Sequence, residues 1–336
     1  MLKIGVLGTG HLGKIHLKCI QLASETYELI GFYDPDDEAA QKAVEDYGVR
    51  RWEDLSALIA EADVIDIVTP TVTHFELAKQ VMHAGKHLFI EKPLTNTLEE
   101  ARELLELARE KQVKVQVGHV ERFNPALLAL GETPLDPMFI EAHRLAVFNP
   151  RGTDVSVILD LMIHDLDIIQ SLVRAPVRHI SASGVPVVSD TADICNARVE
   201  FENGAVANLT ASRISMKQMR KLRLFQKDAY ISLDFLEKEA QVVRLFDMDS
   251  DPSQLPSDNL MELETQNGRR YIHMDMPETE PVNAIKMELE KFAESIKEDR
   301  RPIVSIEDGF RALELAHRIM EQIEARRAAL RASSKG

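Results

Sequence analysis

Three aspartates surround a single histidine in the stretch Asp160-Leu-Met-Ile-His164-Asp165-Leu-Asp167, inside an otherwise apolar segment. Asp160 and His164 are four apart, so on a helix they share one face, and Asp167, three beyond His164, lies near it. Aspartate is intrinsically disfavoured in helix interiors, so several around one histidine suggest a purpose. Oxidising an alcohol needs a base for the hydroxyl proton as hydride leaves the carbon. Histidine suits that task near neutral pH, and a carboxylate beside it orients the imidazole and stabilises its charged form. The same residues could instead bind a metal, or be a core histidine satisfied by a neighbouring aspartate.

Glu91-Lys92-Pro93 follows a short apolar run at 86–90, where a parallel strand would end. A lysine there would reach the nicotinamide side of a dinucleotide crevice. Preceding a proline, Lys92 is biased to extended backbone, and a cis bond is one option. Taken alone the tripeptide is ordinary loop chemistry. The third stretch, Gly8-Thr9-Gly10-His11-Leu12-Gly13, matches G-x-G-x-x-G between an apolar run and an amphipathic one. The first glycine allows the tight turn, the second lets a pyrophosphate approach the backbone, and the third allows close helix–strand packing. The helix N-terminus then offers N–H groups to the phosphates.

Asp34 ends the second strand, 21 residues after Gly13, where a carboxylate can accept from both ribose hydroxyls and repel a 2′-phosphate. Pro35, Asp36 and Asp37 follow it, with no arginine close behind. NAD is therefore favoured over NADP; a glycine-rich turn with a helix-capping Asp34 is the alternative. Thr69 and Pro70 follow another strand and would line the cofactor, since ligands gather at the carboxyl ends of parallel strands. His74 could line it too, or simply start the next helix.

These residues need elements to hold them. Strands predicted at 2–7, 28–33, 63–68, 86–90 and 113–117 alternate with helices at 11–23, 36–46, 72–84 and 97–110. That alternation specifies a doubly wound parallel sheet, the Rossmann arrangement, over residues 1–120. The rhythm changes from 121 to 336. A helix near 157–173 precedes strand-like runs at 177–185, 193–201, 204–213, 220–226 and 229–235, with Asn203-Gly204 as a hairpin turn. Strands in series imply an α+β domain with an open, mostly antiparallel sheet. The polar, proline-containing residues 247–268 read as a loop, and helices at about 281–298 and 306–327 finish the chain.

At 336 residues the chain suits two domains. Its net charge of −15 argues against a nucleic-acid partner. Arg326, Arg327, Arg331 and Lys335 read as a frayed basic end. Cys19 and Cys195 are too far apart in sequence, and too few, for a metal site or disulfide framework. No apolar run reaches the roughly 18 residues of a membrane span, and a strand starting at residue 2 leaves no signal peptide, so a cytoplasmic protein is expected.

Together, Gly8–Gly13, Glu91-Lys92-Pro93 and Asp160…His164 resemble the glucose-fructose oxidoreductase / inositol dehydrogenase / rhizopine-catabolism (Gfo/Idh/MocA) family. The likeness runs over nearly the whole chain, including Ser305-Ile-Glu-Asp-Gly309 before the last helix. It implies a tightly held nicotinamide cofactor, a sugar or polyol substrate, and an open sheet that often forms the oligomer contact, here a homodimer or homotetramer. At matching positions, Lys92 would hydrogen-bond the reacting hydroxyl, His164 would be the acid/base, Asp160 would assist it, and Pro93 would shape the loop. Gly8, Gly10, His11, Leu12, Gly13, Asp34, Thr69, Pro70, Glu91 and Lys92 would hold the cofactor.

Two features depart from the family: Asp154-Val-Ser-Val-Ile replaces a frequent glycine pair, and Met162 stands where many members carry glycine. Both would reshape the substrate wall. Gly118-His-Val-Glu-Arg122-Phe-Asn124-Pro125 resembles the branch that oxidises the 3-hydroxyl of UDP-N-acetylglucosamine-type sugars. Arg122 and Asn124 could offer a cation and an amide to a sugar or diphosphate; equally, they could be a salt bridge and a helix start at a domain junction. The expected activity is hydride transfer between the alcohol of a nucleotide sugar and NAD. A free sugar or polyol substrate, a reduction, and a non-catalytic NAD-binding regulator are the alternatives; the presence of both Lys92 and His164 opposes the last.

Overall fold

The computed structural model describes residues 1–149, 155–247, 250, 255–256, 259–266 and 268–333. The chain divides into two compact units, Met1–Phe123 with Asn283–Glu314, and Asn124–Val282 with Leu315–Gly336.

The first unit is built on β1 (Leu2–Leu7), β2 (Tyr27–Tyr33), β3 (Val64–Ile67), β4 (His87–Glu91) and β5 (Val115–Gly118). All are parallel, in the order β2-β1-β3-β4-β5. Between them run α1 (His11–Leu22), α2 (Asp37–Tyr47), α3 (Leu55–Glu61), α4 (His74–His83) and α5 (Leu98–Lys111). A sheet covered on both faces needs continuous apolar strands, and all of Val64–Ile67 is buried. The helices start where side chains accept the orphan N–H groups. Asp36 caps α2 through Ala39 N, and Thr97 with Glu100 forms a capping box on α5. The seven-residue α3, capped by Asp54, was not anticipated.

The domain boundary requires a correction. The chain breaks after Phe123, close to the expected 120/121, but Asn283–Glu314 belongs to the first unit. The cause is packing. On α8 (Ala284–Lys297), Leu289, Phe292 and Ala293 are fully buried in one cluster with Ile4, Val6, Leu17 and Phe89. Tyr27 Oη donates to Leu289 O at 2.8 Å, and Gln116 Nε2 to Glu288 O at 2.8 Å. Within Ser305–Gly309, Asp308 accepts from Ser305 N and Oγ, and a Cβ on Gly309 would sit 2.6 Å from a Val117 methyl. That motif seats the start of α9 (Ile306–Ser333) against β5. The helix runs past the expected end at 327.

The second unit carries α6 (Pro125–Leu128), β6 (Phe139–Leu145), a π-helical turn at Ile158–Met162 leading into α7 (Ile163–Leu172), and eight further strands. These are β7 (Val177–Val185), β8 (Ile194–Phe201), β9 (Val206–Ser212), β10 (Met219–Phe225), β11 (Ala229–Asp234), β12 (Glu239–Asp247), β13 (Leu260–Thr265) and β14 (Gly268–Asp275). They form an open sheet in the order β13-β14-β12-β11-β10-β6-β9-β8-β7. Within this sheet, among the described residues, only the β6–β9 pairing is parallel. Alternate residues of β6 are buried, the signature of one core-facing side. Ile140, Leu209, Leu222 and Leu233 share the core with Ile158, Leu166 and Ile169. Gly204, at φ 87°, turns β8 into β9 as expected from Asn203-Gly204.

Much of the expected loop at 247–268 is strand instead. Leu260–Thr265 pairs with β14, and Asp154, Pro252, Ser253, Ser257 and Lys335 lie outside the described residues. Met162 is fully buried in the core of its unit, which removes it from any substrate wall. No helix among the described residues is long and apolar enough to cross a membrane.

Candidate functional site

In the first unit the strand order reverses between β1 and β3, and a cavity of about 640 Å³ opens at their carboxyl ends. Gly8, Gly10, Asp34, Thr69 and Pro70 line it, with Tyr33, Asp36, Val72 and Leu77. Gly8 has φ 95°, and a Cβ there would sit 2.9 Å from Val68 O. A Cβ on Gly13 would fall 2.1 Å from Gly8 O, so α1 can approach the loop only with glycine at that position. Around Gly10 nothing would obstruct a Cβ within 4 Å, which leaves that side of the loop open. No side chain caps α1 at Gly10. Open backbone, an uncapped helix N-terminus and a carboxylate at the rim fit a dinucleotide pyrophosphate and ribose. His11 is exposed in the first turn and Leu12 half-buried.

Asp34 does more than was expected of it. Its Oδ2 accepts from Thr9 N at 2.6 Å and Thr9 Oγ1 at 2.8 Å, and its Oδ1 from Asp36 N at 2.9 Å. It therefore pins the glycine loop as well as facing the cavity. Arg51, seventeen residues on, donates to Asp34 O at 3.2 Å and to Asp37 Oδ1 at 2.6 Å. The expectation that no arginine stands near Asp34 holds along the sequence and fails in space. The cause is the parallel bridge between Phe32 and Arg51.

Lys92, half-buried, follows β4, and its bond to Pro93 is cis. His74 is buried and tied to this loop: Nδ1 lies 3.0 Å from Pro93 O and Nε2 3.0 Å from Thr69 O. Burial lowers its pKa, opposed by those carbonyls. Glu91, expected to hold cofactor, is 8% exposed and turned into the protein. Its Oε1 lies 3.2 Å from His16 Nε2, and its Oε2 accepts from Lys92 N at 3.3 Å.

Arg122 lies in a 3-10 turn, Val120–Phe123, and its charge helps hold the Asp308 carboxyl low. Burial pushes Asp308 up; hydrogen bonds from Ser305 and the charges of Arg301 and Arg122 outweigh it.

In the second unit, Asn124 is committed to the fold. Its Oδ1 accepts from Ala126 N as the N-cap of α6, and its Nδ2 donates to Phe235 O at 3.0 Å. Pro125 occupies the first helical position, as the helix-start reading of Asn-Pro requires. Asp160 sits in the π-helical turn and His164 in the first turn of α7, both half-buried. Such single π turns are frequent at functional sites. The remaining aspartates face inward: Asp167 is buried, and Asp165 pairs with Arg144 of β6, Nη2 to Oδ1 at 2.7 Å and Nε to both oxygens at 3.1 Å. Among the described residues no cluster of three histidine, cysteine or acidic side chains is arranged for a metal ion. Both cysteines are free and buried, and burial pushes the Cys195 thiol up to about 12.

With this geometry in place, likeness to known proteins defines the class. Residues 2–119 match the family model described as oxidoreductase family, NAD-binding Rossmann fold, and residues 141–231 match the GFO/IDH/MocA C-terminal domain. The chain belongs to the GFO/IDH/MocA family of NAD-binding oxidoreductases.

Among its members, UDP-N-acetylglucosamine 3-dehydrogenase of Acidithiobacillus ferrooxidans is 40% identical over 242 residues, 72% of this chain and 76% of that one. A solved structure of that enzyme superposes with a TM-score of 0.85 at 34% identity, covering 96% of this chain and 98% of the other. The scyllo-inositol 2-dehydrogenase (NAD(+)) of Bacillus subtilis is 30% identical over 63% of this chain and 68% of its own.

Proposed function

We propose that this protein oxidises the 3-hydroxyl of a UDP-N-acetylglucosamine-type nucleotide sugar. The observation that carries this reading is likeness to UDP-N-acetylglucosamine 3-dehydrogenase along almost the entire length of both chains. The His119–Pro125 segment supports the same branch.

A bound nicotinamide would supply the acceptor for the hydride that leaves the sugar carbon. The protein's residues do the rest. The open backbone at Gly10 and the uncapped N-terminus of α1 would receive the pyrophosphate, with Gly8 shaping the turn and Gly13 letting α1 pack against it, and the remaining acceptor positions of Asp34 would take the ribose hydroxyls. Lys92 hydrogen-bonds the reacting hydroxyl, His164 takes its proton, and Asp160 supports the imidazolium that results. The alcohol loses a hydride and a proton and becomes a ketone. Arg122 is a candidate cation for the diphosphate; the Asn124 amide already serves α6 and Phe235.

Likeness to the inositol dehydrogenase supports a second reading, a polyol substrate with the same chemistry. Association of two or four copies through the open sheet, and a cytoplasmic location, belong to the proposal as well. The deciding experiment follows nicotinamide absorbance with NAD and either UDP-N-acetylglucosamine or a panel of free sugars and polyols. Reduction with the nucleotide sugar alone is expected. Reduction with free sugars or polyols alone would replace that substrate while keeping the mechanism.

A further inference from the structure

Among the titratable side chains that the first unit buries, three that the proposed reaction does not use meet one another: His16, Asp66 and Glu91. His16 lies three residues past Gly13 on the sheet-facing side of α1 and is fully buried. Asp66 is the one polar residue of β3, also fully buried. Asp66 Oδ2 and His16 Nδ1 are 2.9 Å apart, and His16 Nε2 lies 3.2 Å from Glu91 Oε1. The His16 ring rests edge-on against Phe89, 5.7 Å between centroids. Burying such groups is expensive, and apolar residues of similar volume would serve a packing role at least as well.

The chain of contacts ends at one place. Glu91 Oε2 accepts from the Lys92 amide, and Glu91 pairs across the sheet with Gly118. A Cβ at Gly118 would sit 2.5 Å from Glu91 Oε1, so the glycine leaves the space that the carboxylate fills. Burial pushes the His16 pKa down, but Asp66 and Glu91 outweigh it and hold it well above the ordinary value. Nδ1 hydrogen-bonds the Asp66 carboxylate, whereas Nε2 meets Glu91 at ion-pair distance without hydrogen-bond geometry, so it is the charge of an imidazolium that ties the ring to Glu91.

We propose that His16 and Asp66 are positioning residues for Lys92: the imidazole seats the Glu91 carboxylate against Gly118, and Glu91 fixes the peptide from which the Lys92 side chain projects. His74 holds the chain just beyond Lys92, with Nδ1 3.0 Å from Pro93 O. The inference rests on the reading of Lys92 as the residue that binds the reacting hydroxyl, and it names what aims that lysine.

The test is His16→Gln in the full chain, with three readouts: NAD affinity by fluorescence titration, kcat and KM with UDP-N-acetylglucosamine, and the labelling rate of Lys92 by trinitrobenzenesulfonate, mapped by mass spectrometry against the other lysines. We expect NAD affinity and KM within threefold of the parent, kcat reduced at least tenfold, and Lys92 labelling changed at least threefold while Lys3 and Lys14 label as before. If His16→Gln does not fold, Glu91→Gln is read in the same way; it keeps the shape and an acceptor oxygen while removing the charge that meets the imidazole. Unchanged Lys92 labelling in a folded variant overturns the proposal whatever turnover does. Equal losses in NAD affinity and kcat overturn it too, because they assign His16 to the cofactor loop. Lys92→Ala is assayed beside them. Normal turnover there would remove Lys92 from the reaction, whereas altered Lys92 labelling in His16→Gln would still support the positioning.

Discussion

Arg51 donates to the backbone oxygen of Asp34 at 3.2 Å, so a guanidinium stands beside the carboxylate that lines the cavity at the carboxyl ends of β1 and β3. Asp37 holds that guanidinium at 2.6 Å, and Glu53 lies 3.7 Å from its Nε.

Cofactor choice should follow from that arrangement. Asp34→Ser combined with Asp37→Asn removes the carboxylate that repels a 2′-phosphate and frees the cation that can bind one. The ratio of kcat/KM for NADP over NAD should rise at least tenfold without any arginine being added. Because Asp34 also holds Thr9, overall activity should fall. A constant ratio would remove Asp34 from cofactor discrimination.

Lys92→Ala and His164→Ala should each lower turnover by a factor on the order of 10² to 10⁴, the usual range for a lost acid–base group. NADH binding, read by its fluorescence, should persist in both. Near-normal turnover in either variant would take that residue out of the mechanism.

The buried Arg144–Asp165 pair anchors the helix turn that bears His164 to β6. Removing one partner strands the other's charge. Arg144→Met or Asp165→Leu alone should cost about 3–5 kcal/mol in urea unfolding, and the double variant should recover most of it. Single costs below about 1 kcal/mol would mean that water or another group already compensates the stranded charge.

Acid stability should depend on Asp193. Burial pushes its pKa up, but N–H groups of Val187, Val188 and Ser189, together with the Ser189 hydroxyl, hold it down at about 2. A carboxyl depressed in the folded state contributes stability above its unfolded value, near 4, and that contribution is lost as pH falls from about 4 toward 2. The contribution is about 2 kcal/mol. Asp193→Asn should flatten the unfolding-versus-pH curve across that window. An unchanged slope there would show that other carboxylates set the acid limit.

The first unit was largely readable because its signals are local. Leu2–Leu7, the glycine loop and α1 sit where apolar runs and glycine spacing place them. What escaped reading is contact between residues distant in sequence. Arg51 reaches Asp34 through a strand bridge, and His16, Asp66 and Glu91 meet only once three elements are stacked. Asp66 did leave a trace, as a lone carboxylate in Val-Ile-Asp-Ile, but nothing local names its partner. In the second unit, β13 lies in a polar, proline-containing stretch, and although Met261-Glu-Leu263-Glu alternates, both apolar side chains stay exposed, so the short run reads as part of a loop. Asp160 and His164 were visible as a pair, while the π-helical turn beneath Asp160 has no compositional mark.

The return of Asn283–Glu314 to the first unit also sets a timetable for synthesis. A ribosome delivers the five parallel strands early, but the segment bearing Leu289 and Phe292 appears only after the intervening second unit, roughly 160 residues later. At the usual 5–20 residues per second, the nascent cofactor-binding unit waits about 8–30 s with part of its apolar surface uncovered. During that interval it is a substrate for chaperones, and a message truncated before codon 283 would yield a dinucleotide-binding half that cannot close its own core.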